Sequence, residues 1–234
     1  MSDKVLDANH PQIKICGLTR PQEAEACAAA GADAIGYIFY PPSPRCIPAE
    51  QAGRITRVLP DTVCPVGIFV NATYDAIMQT VEIAGLRAVQ LHGRETPVLV
   101  ERLRTNGLTV IKALFYKGTP GFNAIARYSA SAYLVECVGG PLPGGTALSW
   151  NWCEARPLSN DFPVVLAGGL SPENIAAAIR EAEPDAVDVS SGIEIQPGRK
   201  DLSKVRALCR VVSQVGLNRP LRNIFRKDRF RRPF

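Results

Sequence analysis

A single (β/α)₈ barrel of the α/β class is the fold this chain predicts, and three observations predict it. Its 234 residues come close to the roughly 250 typical of one such barrel. Short apolar runs alternate with amphipathic stretches from residue 11 to 216. No Ser/Gly tract or low-complexity block divides that region, so length alone does not argue for two domains.

The expected strands are 12–16, 33–39, 64–70, 86–91, 108–114, 131–136, 162–167 and 185–190. Between them lie helix-like stretches near 21–30, 48–58, 73–84, 96–105, 121–128, 150–156, 171–182 and 201–215. Pro21, Pro48, Pro97 and Pro172 stand where helices should begin, because proline suits the first helical position. Thr73 and Ser171 are expected N-caps. An open doubly wound sheet is the alternative, but it usually has fewer strands. The first turn, Cys16-Gly17-Leu18-Thr19-Arg20, also lacks a dinucleotide fingerprint.

With 46% hydrophobic residues the chain can bury a large core. No apolar run reaches the roughly 18 residues of a membrane span, and residues 1–10 form a polar extension without the apolar centre of a signal peptide. Seven scattered cysteines with no CxxC pair suit reduced thiols in the cytoplasm, and Cys27 and Cys209 read as packing residues. With two histidines and no clustered cysteines, no metal site is expected. The net charge of +5 is concentrated in residues 217–234, where seven basic residues face one acidic one. The rest of the chain is close to neutral, so neither nucleic acid nor membrane is expected as a partner. The stretch reads as a solvated basic C-terminal tail.

In parallel barrels the chemistry sits at the C-terminal ends of the strands. Taking period 2 along each strand, and choosing the register that gathers polar groups, places Lys14, Cys16, Gln90, His92, Lys112, Glu136 and Asp188 around one mouth. Glycines end the seventh and eighth strands, at Gly168-Gly169 and Ser190-Ser191-Gly192. There backbone N–H groups can approach an anion closely. Loops after strands seven and eight often hold phosphate, which points to a phosphorylated small-molecule substrate. Gly144-Gly145 could extend that cradle.

At these residues the sequence resembles the phosphoribosylanthranilate isomerases of tryptophan biosynthesis. The matching segments are Lys-Ile-Cys-Gly-Leu-Thr-Arg (14–20), Gly-Ala-Asp-Ala-Ile-Gly (31–36), Phe-Tyr-Pro-Pro-Ser-Pro-Arg (39–45) and Val-Gly-Ile-Phe-Val-Asn (66–71). They continue through Val-Gln-Leu-His-Gly (89–93), Leu-Ala-Gly-Gly-Leu (166–170), Asp-Val-Ser-Ser-Gly-Ile-Glu (188–194) and Pro-Gly-Arg-Lys-Asp (197–201). The resemblance implies an Amadori rearrangement of N-(5-phosphoribosyl)anthranilate that needs neither cofactor nor metal. It assigns the general base to Cys16, carboxylate binding to Arg45 and ribose contacts to Asp188. The family's general-acid aspartate is replaced here by Glu136. The loop after strand six also departs from the family pattern, reading Ala147-Leu148 where a glycine and a polar residue are usual.

A Glu is about one methylene longer than an Asp, so reach at that position is an issue. An acid at pH 7 must also hold its proton, and Asp188 is the expected neighbour that would help it do so. Lys14, on the same face of the first strand, is expected to lower the thiol pKa of Cys16. Arg45, in a proline-stiffened loop, offers a guanidinium fork suited to an aromatic carboxylate. His92 reads either as a mouth residue or as a satisfied core histidine. Phe39 and Tyr40 read as packing or as a stacking surface. Two other functions stay open at this point. One is a related sugar-phosphate barrel enzyme of changed specificity, and the other is a non-catalytic binder of phosphorylated metabolites. Monomer and homodimer are equally compatible with the sequence.

Overall fold

The structure, a computed structural model, describes residues 9–137 and 150–226. Eight parallel strands close into a barrel: β1 (Gln12–Cys16), β2 (Ala34–Ile38), β3 (Cys64–Phe69), β4 (Ala88–Leu91), β5 (Thr109–Tyr116), β6 (Ala132–Cys137), β7 (Val164–Leu166) and β8 (Ala186–Val189). Closure comes from β1, which pairs with β2 on one side and β8 on the other. A two-stranded hairpin, β9 (Glu194–Gln196) and β10 (Arg199–Lys200), follows the last barrel strand.

The α-helices are α1 (Pro21–Ala29), α2 (Ala49–Thr56), α3 (Tyr74–Ala84), α4 (Pro97–Thr105), α5 (Arg156–Asp161), α6 (Ile175–Ala182) and α7 (Leu202–Ser213). Local chemistry explains their starts. Pro21 and Pro97 occupy first turns, and the Thr73 hydroxyl accepts from the Ala76 N–H as an N-cap. Thr96 caps α4 in the same way, and Asp201 caps α7 through the N–H groups of Ser203 and Lys204.

Three expected helices differ. Residues 122–127 form only a 3₁₀ turn, because β5 runs on to Tyr116 and shortens the connection. The 150–156 stretch is also 3₁₀, over Trp152–Ala155, and the α-helix starts at Arg156, with Pro157 in its first turn. Ser171 and Pro172 precede α6 instead of starting it. Asn174 ties this loop down, accepting from the Ser171 N–H at 2.8 Å and donating to the Gly169 carbonyl at 2.8 Å. Pro48 is the N-cap residue of α2, one position before the helix.

The core has two layers. One lies between strands and helices and includes Cys27 and Cys209, both buried as packing residues. The other fills the barrel itself, with Ala34, Val66, Ala88, Ile111, Ala113, Leu134, Val165 and Ala186 facing the axis.

Ile224 and Phe225 belong to that inner layer, which corrects the reading of residues 217–226 as a solvated tail. The Gln12 side chain donates to the Arg222 carbonyl at 3.0 Å and accepts from the Ile224 and Phe225 N–H groups at 3.2 and 2.8 Å. Arg219 and Arg222 both pair with Asp185, at 2.9 and 3.4 Å, and Arg226 pairs with Asp33 at 2.7 Å. The two aspartates also accept the N–H groups of Val164 and Ile13. Summed charge cannot reveal this, because the arginines neutralise specific acids at the strand starts while an apolar pair between them plugs the barrel. Residues 227–234 of the basic stretch, and the N-terminal residues 1–8, lie outside the described residues.

Replacing Phe225 with Ala should therefore cost about 3 kcal/mol in denaturant-induced unfolding, the usual scale for a buried aromatic. A cost below about 1 kcal/mol would show that this segment is not part of the core.

Candidate active site

Strand register assembles the site. Lys14 on β1 lies level with Asp188 on β8, and their side chains meet inside the barrel with Nζ 2.9 Å from Oδ2. Cys16 follows two residues on, on the same face, and is buried. Its space depends on Gly36, where a Cβ would stand 3.1 Å from the Cys16 sulfur and 3.0 Å from Ile68 Cδ1.

Burial pushes the Cys16 thiol above its ordinary pKa, with Lys14 and Lys200 pulling the other way and Asp188 reinforcing the rise. Lys14 thus acts in the expected direction, but desolvation outweighs it. For Lys14 itself burial is the largest effect and favours loss of the proton. Asp188 and Cys16 together overcome it and hold the ammonium above its ordinary value.

Glu136 projects from the end of β6 and meets His92, whose Nε2 lies 2.8 Å from Oε1. Gln90 Nε2 lies 2.9 Å from His92 Nδ1. With that amide donating to Nδ1, the Nε2–H of His92 is left to donate to Glu136. Phe115 meets the imidazole edge-on, with ring centroids 5.5 Å apart. The neighbour of Glu136 is therefore His92, while Asp188, the neighbour expected from the sequence, is committed to Lys14.

Lys112 does not reach the mouth. On β5 the axis-facing residues are Ile111, Ala113 and Phe115, so Lys112 points out of the barrel wall. Its Nζ donates to the carbonyls of Leu91 and Gly93 and to Glu95 Oε2, at 3.1, 2.8 and 2.8 Å. Glu95 in turn accepts from the N–H groups of Asn71 and Gly93. This buried pair braces the turn that carries His92. The expectation failed because it sorted polar residues into one register, and a lysine with a hidden carboxylate partner obeys no such rule.

Arg45 lies in the loop after β2. Its Nε and Nη2 edge is held by Glu194, at 3.0 Å to Oε1 and 2.7 Å to Oε2. The hydrogen bonds to Glu194 raise the arginine pKa further. For Glu194, burial is the largest influence and would raise its pKa. Arg45 and Lys200 outweigh it and hold the carboxyl below its ordinary value. Gly17, at φ 78°, lets the arginine pass, since a Cβ there would lie 2.6 Å from Arg45 Cδ. Phe39 packs on Phe69 with centroids 5.2 Å apart, whereas Tyr40 faces the cleft.

These groups share one cleft at the C-terminal ends of the strands. Cys16, Arg45, His92, Glu136, Gly168, Gly169, Asp188 and Ser191 all line it. Gly168 and Gly169 have φ of 89° and 67°. Gly192 stands behind the wall, where a Cβ would overlap the Leu170 carbonyl and force the loops after β7 and β8 apart. Gly144 and Gly145 lie outside the described residues. Sequence reading missed roles for Glu95, Phe115, Glu194 and Lys200. The 197–201 motif flagged the neighbourhood of the last two, but nothing in it shows which residues they meet.

A parallel barrel that gathers a thiol, a carboxyl–imidazole pair and a guanidinium around one glycine-walled cleft has the architecture of a barrel enzyme, with its polar groups where such enzymes carry their sites. Residues 13–211 match the sequence profile of N-(5'-phosphoribosyl)anthranilate (PRA) isomerase. The chain is 49% identical over 214 residues to the N-(5'-phosphoribosyl)anthranilate isomerase of Desulfatibacillum aliphaticivorans, covering 92% of this chain and 98% of that protein. Among solved structures, phosphoribosyl anthranilate isomerase from Thermotoga maritima superposes with a TM-score of 0.80 at 36% identity, covering 86% of this chain and 98% of the other. A phosphoribosyl anthranilate isomerase in complex with reduced 1-(o-carboxyphenylamino)-1-deoxyribulose 5-phosphate gives a TM-score of 0.77 at 35% identity, again covering 86% and 98%. The chain belongs to the N-(5'-phosphoribosyl)anthranilate isomerase family.

The electrostatics of Cys16 yield a test. Its thiol sits above the ordinary value, so the thiolate fraction should still be rising at pH 9. Lys14→Met removes a cation that favours thiolate, so the pH profile of Cys16 alkylation should move to higher pH. An unshifted profile would show that Lys14 does not act on the thiol.

Proposed function

We propose that Cys16 is the general base and Glu136 the general acid with which this isomerase carries out the Amadori rearrangement of N-(5'-phosphoribosyl)anthranilate. The observation that carries the assignment is that both side chains line the same cleft at the C-terminal end of the barrel. Glu136 gives its proton to the ribose ring oxygen as the C1′–O bond breaks, and the anthranilate nitrogen lone pair forms the iminium. The Cys16 thiolate then takes the C2′ proton, and the electron pair of that C–H bond neutralises the iminium to give an enolamine. Tautomerisation of the enolamine yields 1-(2-carboxyphenylamino)-1-deoxyribulose 5-phosphate.

In this reading His92 orients the Glu136 carboxyl through their 2.8 Å contact. Orientation matters because Glu136 is about one methylene longer than the aspartate of relatives, and an error of about 1 Å in placement can cost about 10²-fold in rate. Asp188, fixed by Lys14, is placed to accept ribose hydroxyls. Arg45 receives the anthranilate carboxylate on the guanidinium edge that Glu194 leaves open. Gly168, Gly169 and Ser191 form the phosphate wall, Gly192 lets the loop behind it pack close, and Gly144 and Gly145 are its proposed extension.

No helix among the described residues is long and apolar enough to cross a membrane, and a buried catalytic thiol suits a reducing cytoplasm.

Cys16→Ala and Glu136→Gln should each lower kcat by about 10²–10⁴-fold, the usual contribution of a positioned acid or base. The assay is the fluorescence loss of freshly generated phosphoribosylanthranilate, and circular dichroism should match wild type. Turnover that survives Glu136→Gln would move the acid to another residue.

A further inference from the structure

The hairpin β9–β10 brings two charged side chains, Glu194 and Lys200, into the barrel wall beside the cleft, and neither has a role in the acid–base steps. Both side chains are almost fully buried. Glu194 Oε1 accepts from Lys200 Nζ at 2.8 Å and from the Gly198 N–H at 3.2 Å, while its carboxylate spans the Nε–Nη2 edge of Arg45. Lys200 Nζ also donates to the Ser190 carbonyl at 3.2 Å. One carboxylate thus sits between two cations.

An arginine guanidinium can fork a carboxylate on two edges, Nε–Nη2 and Nη1–Nη2, and a flexible arginine samples many directions at an entropic cost of its own. Here one edge is already taken by a buried carboxylate. Glu194 engages Nε and Nη2 and leaves Nη1 to other partners, and Arg45 itself lines the cleft. Burial pulls the Lys200 pKa below its ordinary value and Glu194 opposes that pull, so the carboxylate supports both cations at once. Burying such a cluster is tolerable only because each charge meets an opposite one.

From this geometry we infer that Glu194 is a positioning residue that aims Arg45 at the substrate carboxylate and so sets the specificity of the cleft for a carboxylated aromatic ring. The inference rests on the carboxylate-binding role proposed above for Arg45. The hairpin has anchors that do not involve Glu194. Arg199 Nε and the Lys200 N–H both donate to Glu23, at 2.9 and 3.0 Å, and Thr19 Oγ1 donates to the Gly198 carbonyl at 2.8 Å. Glu194→Gln therefore keeps the hairpin docked. Its amide oxygen can still accept from Lys200, but its NH₂ group cannot accept from Arg45.

The test measures binding of reduced 1-(o-carboxyphenylamino)-1-deoxyribulose 5-phosphate and of the same compound without its carboxyl group. Wild type should prefer the carboxylated ligand by about 10- to 100-fold, as a charge-assisted hydrogen-bond pair implies. In Glu194→Gln that preference should fall to within about threefold, and KM for the substrate should rise by a larger factor than kcat falls. The double variant Arg45→Ala/Glu194→Gln should bind no more weakly than Arg45→Ala alone, because both changes remove the same contact. Glu194→Asp keeps a charge for Lys200 and draws the guanidinium back by about a methylene. It should give an intermediate preference, and it carries the test if the Gln variant does not fold. Full preference in Glu194→Gln or Glu194→Asp, or multiplying losses in the double variant, would overturn the positioning role. Full preference in Arg45→Ala would overturn the carboxylate assignment itself, and the inference with it.

Discussion

The pairing of β1 with β8 is the constraint on which the rest depends. Closing the barrel there puts Lys14 level with Asp188, so a cation and an anion that neither strand could bury alone are buried together. The same closure sets Cys16 one pleat further along, at the rim. Desolvation of the thiol, the electrostatic pull of Lys14 and the opposing push of Asp188 all follow from that one register. An alternative closure would strand a lysine in an apolar barrel, at a cost of several kcal/mol.

Charge pairing then organises the top of the barrel outward from that centre. Glu136 takes His92, Arg45 takes Glu194 with Lys200 behind it, and Lys112 takes Glu95. Each pair fixes the orientation of at least one group that faces the cleft or of the turn beneath it. Buried ion pairs add little net stability against well-packed apolar residues. Their value here lies in holding side chains around the cleft in single orientations. The opposite end is built differently. There Ile224 and Phe225 fill the barrel, and arginines neutralise Asp33 and Asp185 at the strand starts. The barrel thus separates a face that carries stability from a face that carries chemistry.

What the sequence determined by itself was periodic or local. Alternating apolar runs and amphipathic stretches specified eight strands in order, because a fully buried parallel strand and a helix differ in period and in flanking residues. Proline and threonine marked the starts of α1, α3 and α4, since a cap is satisfied within one turn. The strand-end residues Cys16, His92, Glu136 and Asp188 were legible because a strand's side-chain alternation is strict. Only the tertiary structure decided which charge meets which. Glu194 lies 149 residues from Arg45, and Asp185 lies 37 from Arg222, distances at which no local rule operates. Lys112 turned away from the axis because its partner Glu95 waited outside the barrel wall, and the basic segment folded under the barrel because Gln12 and two aspartates were there to receive it. Partner choice among buried charges is a global property, set by closure of the barrel and by the cost of leaving any ion alone.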